Sequence, residues 1–171
     1  MSDFPPQKIK SILQEVTALL KERKETVSIA ETCAGGLISA ALLSIPGASG
    51  FYKGGLMLYT LESRVAFAGW TEANTAAYEG PTPDVVTFLA TNVRGKLGST
   101  YTICESGTAG PTGGNTPTRT PGYVALVISS EKGTFTREVM TGSSDRGENM
   151  VAFATEALTL LRDVIKGDAK L

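Results

Sequence analysis

Apolar residues recur every three or four positions near the start of the chain, as they do on the buried face of an amphipathic helix. These positions are Ile9, Ile12, Leu13, Val16, Leu19 and Leu20. Pro5 and Pro6 precede them and the charged residues 21–25 follow. Since proline is typical of helix starts and a charged run of helix ends, we predict a first helix between these limits.

Farther along, short apolar segments alternate with segments of helical spacing. We predict strands at 26–30, 56–60, 100–104, 123–129 and 134–140, and helices at 37–45, 62–68, 71–78, 83–97 and from Asp145 onward. Thr82-Pro83 and Asp145 with Glu148 are typical helix starts. Helices between strands, followed by a hairpin, predict one α/β domain over residues 1–171, with three α/β/α layers and a mixed, mostly parallel sheet.

Composition narrows the classes of partner. The chain has 171 residues, of which 42% are hydrophobic, enough for one core. Sixteen basic against seventeen acidic side chains give a formal net charge of -1, without the basic excess of a nucleic-acid binder. No apolar run approaches the roughly 20 residues that cross a bilayer, and the first residues are unlike a signal peptide. We therefore expect a cytoplasmic protein with no nucleic-acid or membrane partner.

The chain contains no histidine, which excludes Ser-His-Asp and Cys-His catalysis and removes the commonest metal ligand. Cys33 and Cys104 match no disulfide framework or zinc spacing, so we expect free thiols, no metal and no cofactor. Any hydrolytic chemistry must use another base.

Two glycine-rich turns directly follow predicted strands, at residues 31–36 and 107–114. In open α/β sheets, ligands bind beyond the carboxyl ends of strands. The first turn starts a helix, whose free N–H groups favour an anion or an oxyanion, and the glycines of the second allow close backbone approach. Either turn alone is equally explained as a tight chain reversal, whereas two after two strands favour a binding site.

Several motifs support this interpretation. The segment AETCAGGL at 30–37 resembles the A-E-S-C-T-G-G motif of the CinA C-terminal family, and residues 106–114 reproduce its S-G-x-A-G-P-x-G-G signature. The segments PGAS at 46–49 and GGLMLY at 54–59 resemble two further family motifs, so the resemblance covers nearly the whole chain. It implies the fold of nicotinamide-nucleotide amidohydrolases, which convert nicotinamide mononucleotide to nicotinic acid mononucleotide and ammonia with a serine nucleophile and a lysine base.

Two positions depart from the family pattern. The serine falls on Thr32, whose hydroxyl can still attack a carbonyl although its methyl group restricts the rotamer. The lysine falls on Arg64, whose guanidinium stays protonated and cannot take a proton. Glu31 or Glu62 is the alternative base, and Cys33 a second nucleophile if the helix start and Arg64 ionise its thiol, although packing under the turn is its favoured role.

The resemblance assigns catalytic positions to Thr32 and Arg64 and a pyridine nucleotide-like ligand to a surrounding pocket. The substrate-binding residues are Glu31, Cys33, Gly35, Gly36, Tyr59, Gly107, Thr108, Ala109, Gly110, Gly113 and Gly114. We expect Thr32 and the second turn to line one cleft, with Tyr59 and Arg64 on its wall. Where family members often carry V-R-x-R, this chain has NMVA at 149–152, and Arg146 is the arginine left nearby.

Three functions remain open from the sequence. The first is a weakened or inactive amidohydrolase that retains its small-molecule pocket. The alternative is an active enzyme that deamidates nicotinamide mononucleotide with Thr32 as nucleophile. A structural subunit is a third reading, because apolar helix faces on a small domain often support self-association, and a homo-oligomer is the corresponding expectation.

Overall fold

A mixed sheet forms the centre of the domain. The computed structural model describes residues 3–171, and its strands are β1 (Val27–Glu31), β2 (Tyr52–Met57), β3 (Tyr101–Gly107), β4 (Tyr123–Ser130) and β5 (Gly133–Met140). They lie in the order β2-β1-β3-β4-β5. β1 pairs in parallel with β2 and β3, whereas β3 with β4 and β4 with β5 pair antiparallel. Four strands thus run in one direction and β4 in the other, which confirms the predicted sheet.

Helices cover both faces of this sheet. They are α1 (Gln7–Arg23), α2 (Leu37–Leu43), α3 (Leu61–Phe67), α4 (Glu72–Ala76), α5 (Pro83–Leu97) and α6 (Arg146–Lys166). The apolar sides of α1, α2 and α6 pack on one face, and α5 packs on the other with Leu58, Ala68 and Trp70. Every residue of β1 is buried, since both faces are covered. The three-layer α/β/α prediction is therefore confirmed.

Helix starts follow the predicted capping chemistry. The Thr82 side chain accepts a hydrogen bond from the Val85 N–H, with Pro83 in the first turn of α5. The Asp145 carboxylate accepts one from the Glu148 N–H at the start of α6. No helix among residues 3–171 is long and apolar enough to cross a membrane.

The second strand starts four residues and ends three residues earlier than predicted. Gly54 and Gly55 weaken strand propensity, so the sequence directed the prediction to the apolar residues after them. A side chain at Gly55 would lie 2.9 Å from the Ser39 and Tyr52 hydroxyl oxygens, so glycine is needed for this edge strand to pack there. The strand ends because Thr60 caps α3 by accepting from the Ser63 N–H.

Two helices are shorter than predicted. Helix α4 begins after Thr71, which forms a capping box with Asn74, and it ends at Ala76. Helix α2 ends at Leu43 instead of residue 45. Residue 45 directly precedes Pro46, and a residue before a proline is disfavoured in helical conformation.

Gly107, which ends β3, should not tolerate alanine. A Cβ there would overlap the Tyr123 carbonyl oxygen and lie 3.0 Å from the Val124 Cα and a Phe153 ring carbon. We expect Gly107→Ala to lower the free energy of unfolding by about 1–3 kcal/mol, measured by urea denaturation. The matched control is Gly95→Ala, because Gly95 is exposed in α5 with open space around it, and this change should add about 0.5–1 kcal/mol. A Gly107→Ala protein as stable as the natural one would contradict this packing.

Candidate functional site

The two motif turns meet because β1 and β3 are parallel neighbours, which places their carboxyl ends at one edge of the sheet. A cavity of about 290 Å³ lies there. It is lined by Thr32, Cys33, Tyr59, Thr60, Leu61, Arg64, Tyr78, Ser106 and Gly107. The structure thus brings together five predicted site residues, which are Thr32, Cys33, Tyr59, Arg64 and Gly107.

The rest of the second turn lies beside this first cavity. An adjoining cavity of about 240 Å³ contains the predicted residues Thr108, Gly113 and Gly114 together with Arg119. Both cavities share Tyr78 and Gly107. A third cavity of about 450 Å³, walled by Trp70, Tyr78 and Phe88 among others, shares Tyr78 with both. The three cavities are therefore arranged around Tyr78, which the sequence analysis did not select because no motif contains it.

Some predicted residues lie elsewhere. Gly35 and Gly36 line a different, apolar cavity of about 440 Å³ with Met150 and Val151, and Thr32 is not part of its wall. Their positive φ angles, 70° and 91°, turn the chain into α2. The carbonyls of Ala109 and Gly110 accept hydrogen bonds from the side chains of Asn149 and Arg146, respectively, so these two residues attach the second turn to α6.

Thr32 is held by Glu105 of β3. The Thr32 hydroxyl donates to the Glu105 main-chain oxygen at 3.0 Å, and the Thr32 N–H donates to the carboxyl oxygen Oε1 at 2.6 Å. The Ala34 N–H also donates to Oε1, at 2.9 Å. The expectation of free N–H donors in this turn is therefore wrong for Thr32 and Ala34, because a side chain of the protein itself already accepts their hydrogen bonds.

The carboxylate of Glu31 likewise accepts hydrogen bonds from main-chain N–H groups, here at the start of α2. Its carboxylate accepts from the Ile38 N–H at 2.8 Å and from the Ser39 N–H at 3.0 Å. Burial raises the pKa of Glu31, and these N–H groups lower it in part. Glu31 thus caps the helix, while Glu62 is exposed on α3 and lies outside the cavity wall. The helix dipole that was expected to face a ligand is instead directed at Glu31.

Glu105 is a site residue that sequence reasoning missed. It is fully buried, and burial raises its pKa to about 8 although the N–H groups of Ala34 and Thr32 favour the charged form. Its second carboxyl oxygen, Oε2, has no hydrogen-bond partner among residues 3–171. The available signal was a glutamate at the end of an otherwise uncharged strand, directly before the second motif.

Arg64 forms part of the cavity wall and is only 3% exposed. Its Nε donates to the Leu58 carbonyl at 3.1 Å, and its guanidinium carbon lies 5.1 Å from the ring centres of both Trp70 and Tyr78. These contacts fix the orientation of the cation. Its Nη1 has no hydrogen-bond partner in the described part of the chain.

Cys33 connects the two turns. Its thiol donates to the Gly107 carbonyl, with 2.8 Å between sulfur and oxygen. Burial and the Glu105 charge raise the pKa of the thiol, against smaller opposing effects. These effects oppose the partial ionisation that a Cys33 nucleophile would need, because the carboxyl groups of Glu105 and Glu31 already bind N–H groups where a free helix terminus was expected. Its contact with Gly107 agrees with the favoured packing role.

Arg146 joins three segments at the rim of the site. Its guanidinium donates to the Tyr59 hydroxyl at 2.9 Å and to the Gly110 carbonyl at 3.0 Å. Tyr59 is 55% exposed, so the pair lies at the mouth of the cavity. No three His, Cys, Asp or Glu side chains among residues 3–171 are placed to hold a metal ion.

Glu105 should make the stability of the domain depend on pH. Its pKa is raised to about 8 from an ordinary 4.5, so between these values the unfolded chain ionises it while the folded chain keeps the proton. The free energy of unfolding should therefore fall as pH rises through this range, by up to about 1.4 kcal/mol per pH unit. Glu105→Gln keeps an acceptor for the Thr32 and Ala34 N–H groups but does not titrate. Its free energy of unfolding, measured by urea denaturation at several pH values, should therefore depend less on pH.

Two comparisons complete this test. Glu31 titrates in both proteins, so the difference between them isolates Glu105. Glu105→Ala leaves the Thr32 and Ala34 N–H groups without an acceptor, and we expect a loss of about 1–3 kcal/mol per group. Equal pH slopes for the natural protein and Glu105→Gln would show that Glu105 titrates normally.

Relatives of known sequence are similar to most of this chain. A CinA-like protein of Shewanella amazonensis is 31% identical over 159 residues, which are 93% of this chain and 37% of the relative. A CinA-like protein of Chlorobaculum tepidum is 35% identical over 153 residues, which are 85% of this chain and 36% of the relative. The chain therefore spans little more than a third of the length of these relatives.

Solved structures share the fold. A competence/damage inducible protein from Agrobacterium tumefaciens superimposes with a TM-score of 0.86 at 25% identity, covering 97% of this chain and 99% of that one. A competence or damage-inducible protein from Enterobacter asburiae gives 0.84 at 24% identity, with 92% and 98% covered. The family model described as the CinA C-terminal domain matches residues 9–165. The chain belongs to the CinA C-terminal domain family.

Proposed function

We propose that this domain keeps a small-molecule pocket for a pyridine nucleotide-like ligand but has weakened or no amidase activity. The observation that carries the proposal is the hydrogen bond of the Thr32 hydroxyl, whose proton points to the main-chain oxygen of Glu105. A carbonyl oxygen accepts a hydrogen bond but is far too weak a base to take the proton. In this geometry the Thr32 hydroxyl has no base that accepts its proton.

Arg64 does not supply the missing base. A guanidinium remains protonated at every accessible pH, and this one is fixed against two aromatic rings and the Leu58 carbonyl. General-base assistance typically contributes about 10² to 10⁴ in rate. Arg64 can attract negative charge in a ligand, but the proton transfer step has no acceptor in its side chain.

Stabilisation of an oxyanion is reduced as well. An oxyanion hole needs N–H donors that are free to point at the developing charge. In the Thr32–Ala34 turn, two such donors are bound to Glu105, and two donors of α2 are bound to Glu31. A tetrahedral intermediate would have to displace a buried carboxyl group from these N–H groups.

The cleft itself supports ligand binding. Adjoining cavities of about 290 and 240 Å³ provide an aromatic wall at Tyr78 and the glycine-rich second turn. Cations lie at both ends, with Arg64 in the first cavity and Arg119 in the second. A ligand with a planar ring and an anionic group fits this combination of surfaces.

The alternative function is an active amidohydrolase in which Glu105 serves as base. Its carboxyl group lies next to Thr32, its pKa is raised to about 8, and Oε2 has no partner among the described residues. A pKa in this range suits general-base catalysis. Activity that rises with pH through 8 and disappears in Glu105→Gln would favour this alternative.

Binding should be detectable without turnover. A ligand at about 100 times its dissociation constant adds roughly 2.7 kcal/mol of stability, so nicotinamide mononucleotide and nicotinic acid mononucleotide should raise the melting temperature. Thermal-shift titration measures this directly. The absence of a response to either compound at millimolar concentration would count against a retained pocket.

Turnover of nicotinamide mononucleotide by the natural protein should be near or below detection. The double variant Thr32→Ser with Arg64→Lys should raise ammonia release measurably, because it provides an unhindered hydroxyl and an amine that can lose its proton. Neither single change should suffice, since nucleophile and base act as a unit. Robust turnover by the natural protein that survives Arg64→Ala would overturn the proposal and point to Glu105.

A further inference from the structure

We infer that the cavity around Arg64 selects a carboxylate over the matching carboxamide, and that its preferred ligand is a planar aromatic acid. This inference rests on the proposed function and specifies the chemical class that the pocket takes. It concerns the group that distinguishes a deamidated product from its substrate.

Arg64 has unused hydrogen-bonding capacity. The side chain is almost completely buried in the cavity wall, yet Nη1 has no acceptor among residues 3–171. A buried charged donor without a partner is costly. A carboxylate oxygen at Arg64 would supply both the acceptor and the opposite charge, whereas an amide oxygen would supply the acceptor alone.

The remaining wall of the cavity contains no acidic side chain, since none of the nine residues that line it is an aspartate or glutamate. The Gly107 carbonyl already accepts from the Cys33 thiol, and the Tyr59 oxygen accepts from Arg146, which leaves the phenol O–H to donate. A carboxylate needs donors only, whereas the NH2 group of a carboxamide needs acceptors.

The charges around the cavity favour an anion. Arg64 is a wall residue, and Arg146 lies at the mouth of the cavity through its bond to Tyr59. The buried acids Glu31 and Glu105 do not line the cavity. The raised pKa of Glu105 keeps it largely protonated at neutral pH, and the Glu31 carboxylate accepts from two N–H groups of α2. A carboxylate in the cavity therefore meets cations and no acidic side chain in the wall.

Ring stacking specifies the rest of the ligand. Tyr78 lines the cavity, and its ring contacts the Arg64 guanidinium. Trp70 lies beside it, with the two ring centres 5.7 Å apart. An aromatic acid can place its carboxylate at Arg64 and its ring against Tyr78, which a small inorganic anion cannot do.

The test compares nicotinate with nicotinamide, which share the same ring and differ in the group that meets Arg64. Isothermal titration calorimetry at pH 7 should show nicotinate bound at least about tenfold more tightly, the size expected for a hydrogen bond to a charged group. Arg64→Gln should bring the ratio of the nicotinate and nicotinamide affinities to about one, and Arg64→Lys should keep part of the preference for nicotinate. The same comparison with the two mononucleotides extends the test to larger ligands.

Arg94→Gln is the matched control. Like Arg64, Arg94 has its Nε bonded to a main-chain carbonyl, here that of Thr100, but it lies on α5 outside all the cavities described above. This variant should keep the preference of the natural protein. If Arg64→Gln does not fold, the ratios of the natural protein and Arg64→Lys still decide the question.

Four results would overturn the inference. Equal or tighter binding of nicotinamide by the natural protein would refute the carboxylate preference but leave the proposed pocket standing. A ratio that Arg64→Gln does not change would exclude Arg64 as its source. Displacement of nicotinate by equimolar inorganic phosphate would show a general anion site. Binding of neither acid nor amide, in either size, would refute the inference and the pocket together.

Discussion

The contact on which the site depends is the hydrogen bonding of one buried carboxyl group, that of Glu105, with the turn after the neighbouring strand. Its Oε1 accepts from the N–H groups of Thr32 and Ala34, and its main-chain oxygen accepts from the Thr32 hydroxyl. A single residue of β3 thereby determines the position of the Thr32 hydroxyl, the direction of its proton and the availability of the surrounding N–H donors. Parallel pairing of β1 with β3 makes this contact possible.

The same contact underlies the proposal that the site binds a ligand without catalysing its hydrolysis. Catalysis needs donors and bases whose capacity is unused in the free protein, so that they can act on the reacting group. Here the donors of the Thr32 turn are bound to Glu105, and Glu31 accepts those of α2. Unused hydrogen-bonding capacity remains at Arg64 and at Oε2 of Glu105. Of these two residues only Arg64 lines the cavity, where it can attract an anion without any proton transfer.

The relation to solved CinA-like structures concerns the fold. TM-scores near 0.85 at about a quarter identity show that the layers and the strand order tolerate wide changes in sequence. Function depends on a few side chains placed on that frame. Thr32, Arg64 and Glu105 lie on three different segments, and their chemistry has to be compatible within one cavity. A guanidinium at Arg64 suits a bound anion, whereas an amine would suit proton transfer.

The sequence by itself determined the layers, the helix caps and the meeting of the two turns. These features depend on local periodicity, on short-range capping at Thr82 and Asp145, and on the rule that parallel strands end at one edge. Only the tertiary structure decided the position of β2, the separation of Gly36 from the Thr32 cavity and the roles of Glu105 and Tyr78. The reason is physical: the partner of Thr32 lies 73 residues away in the chain, and burial and hydrogen bonds between such distant residues exist only after folding.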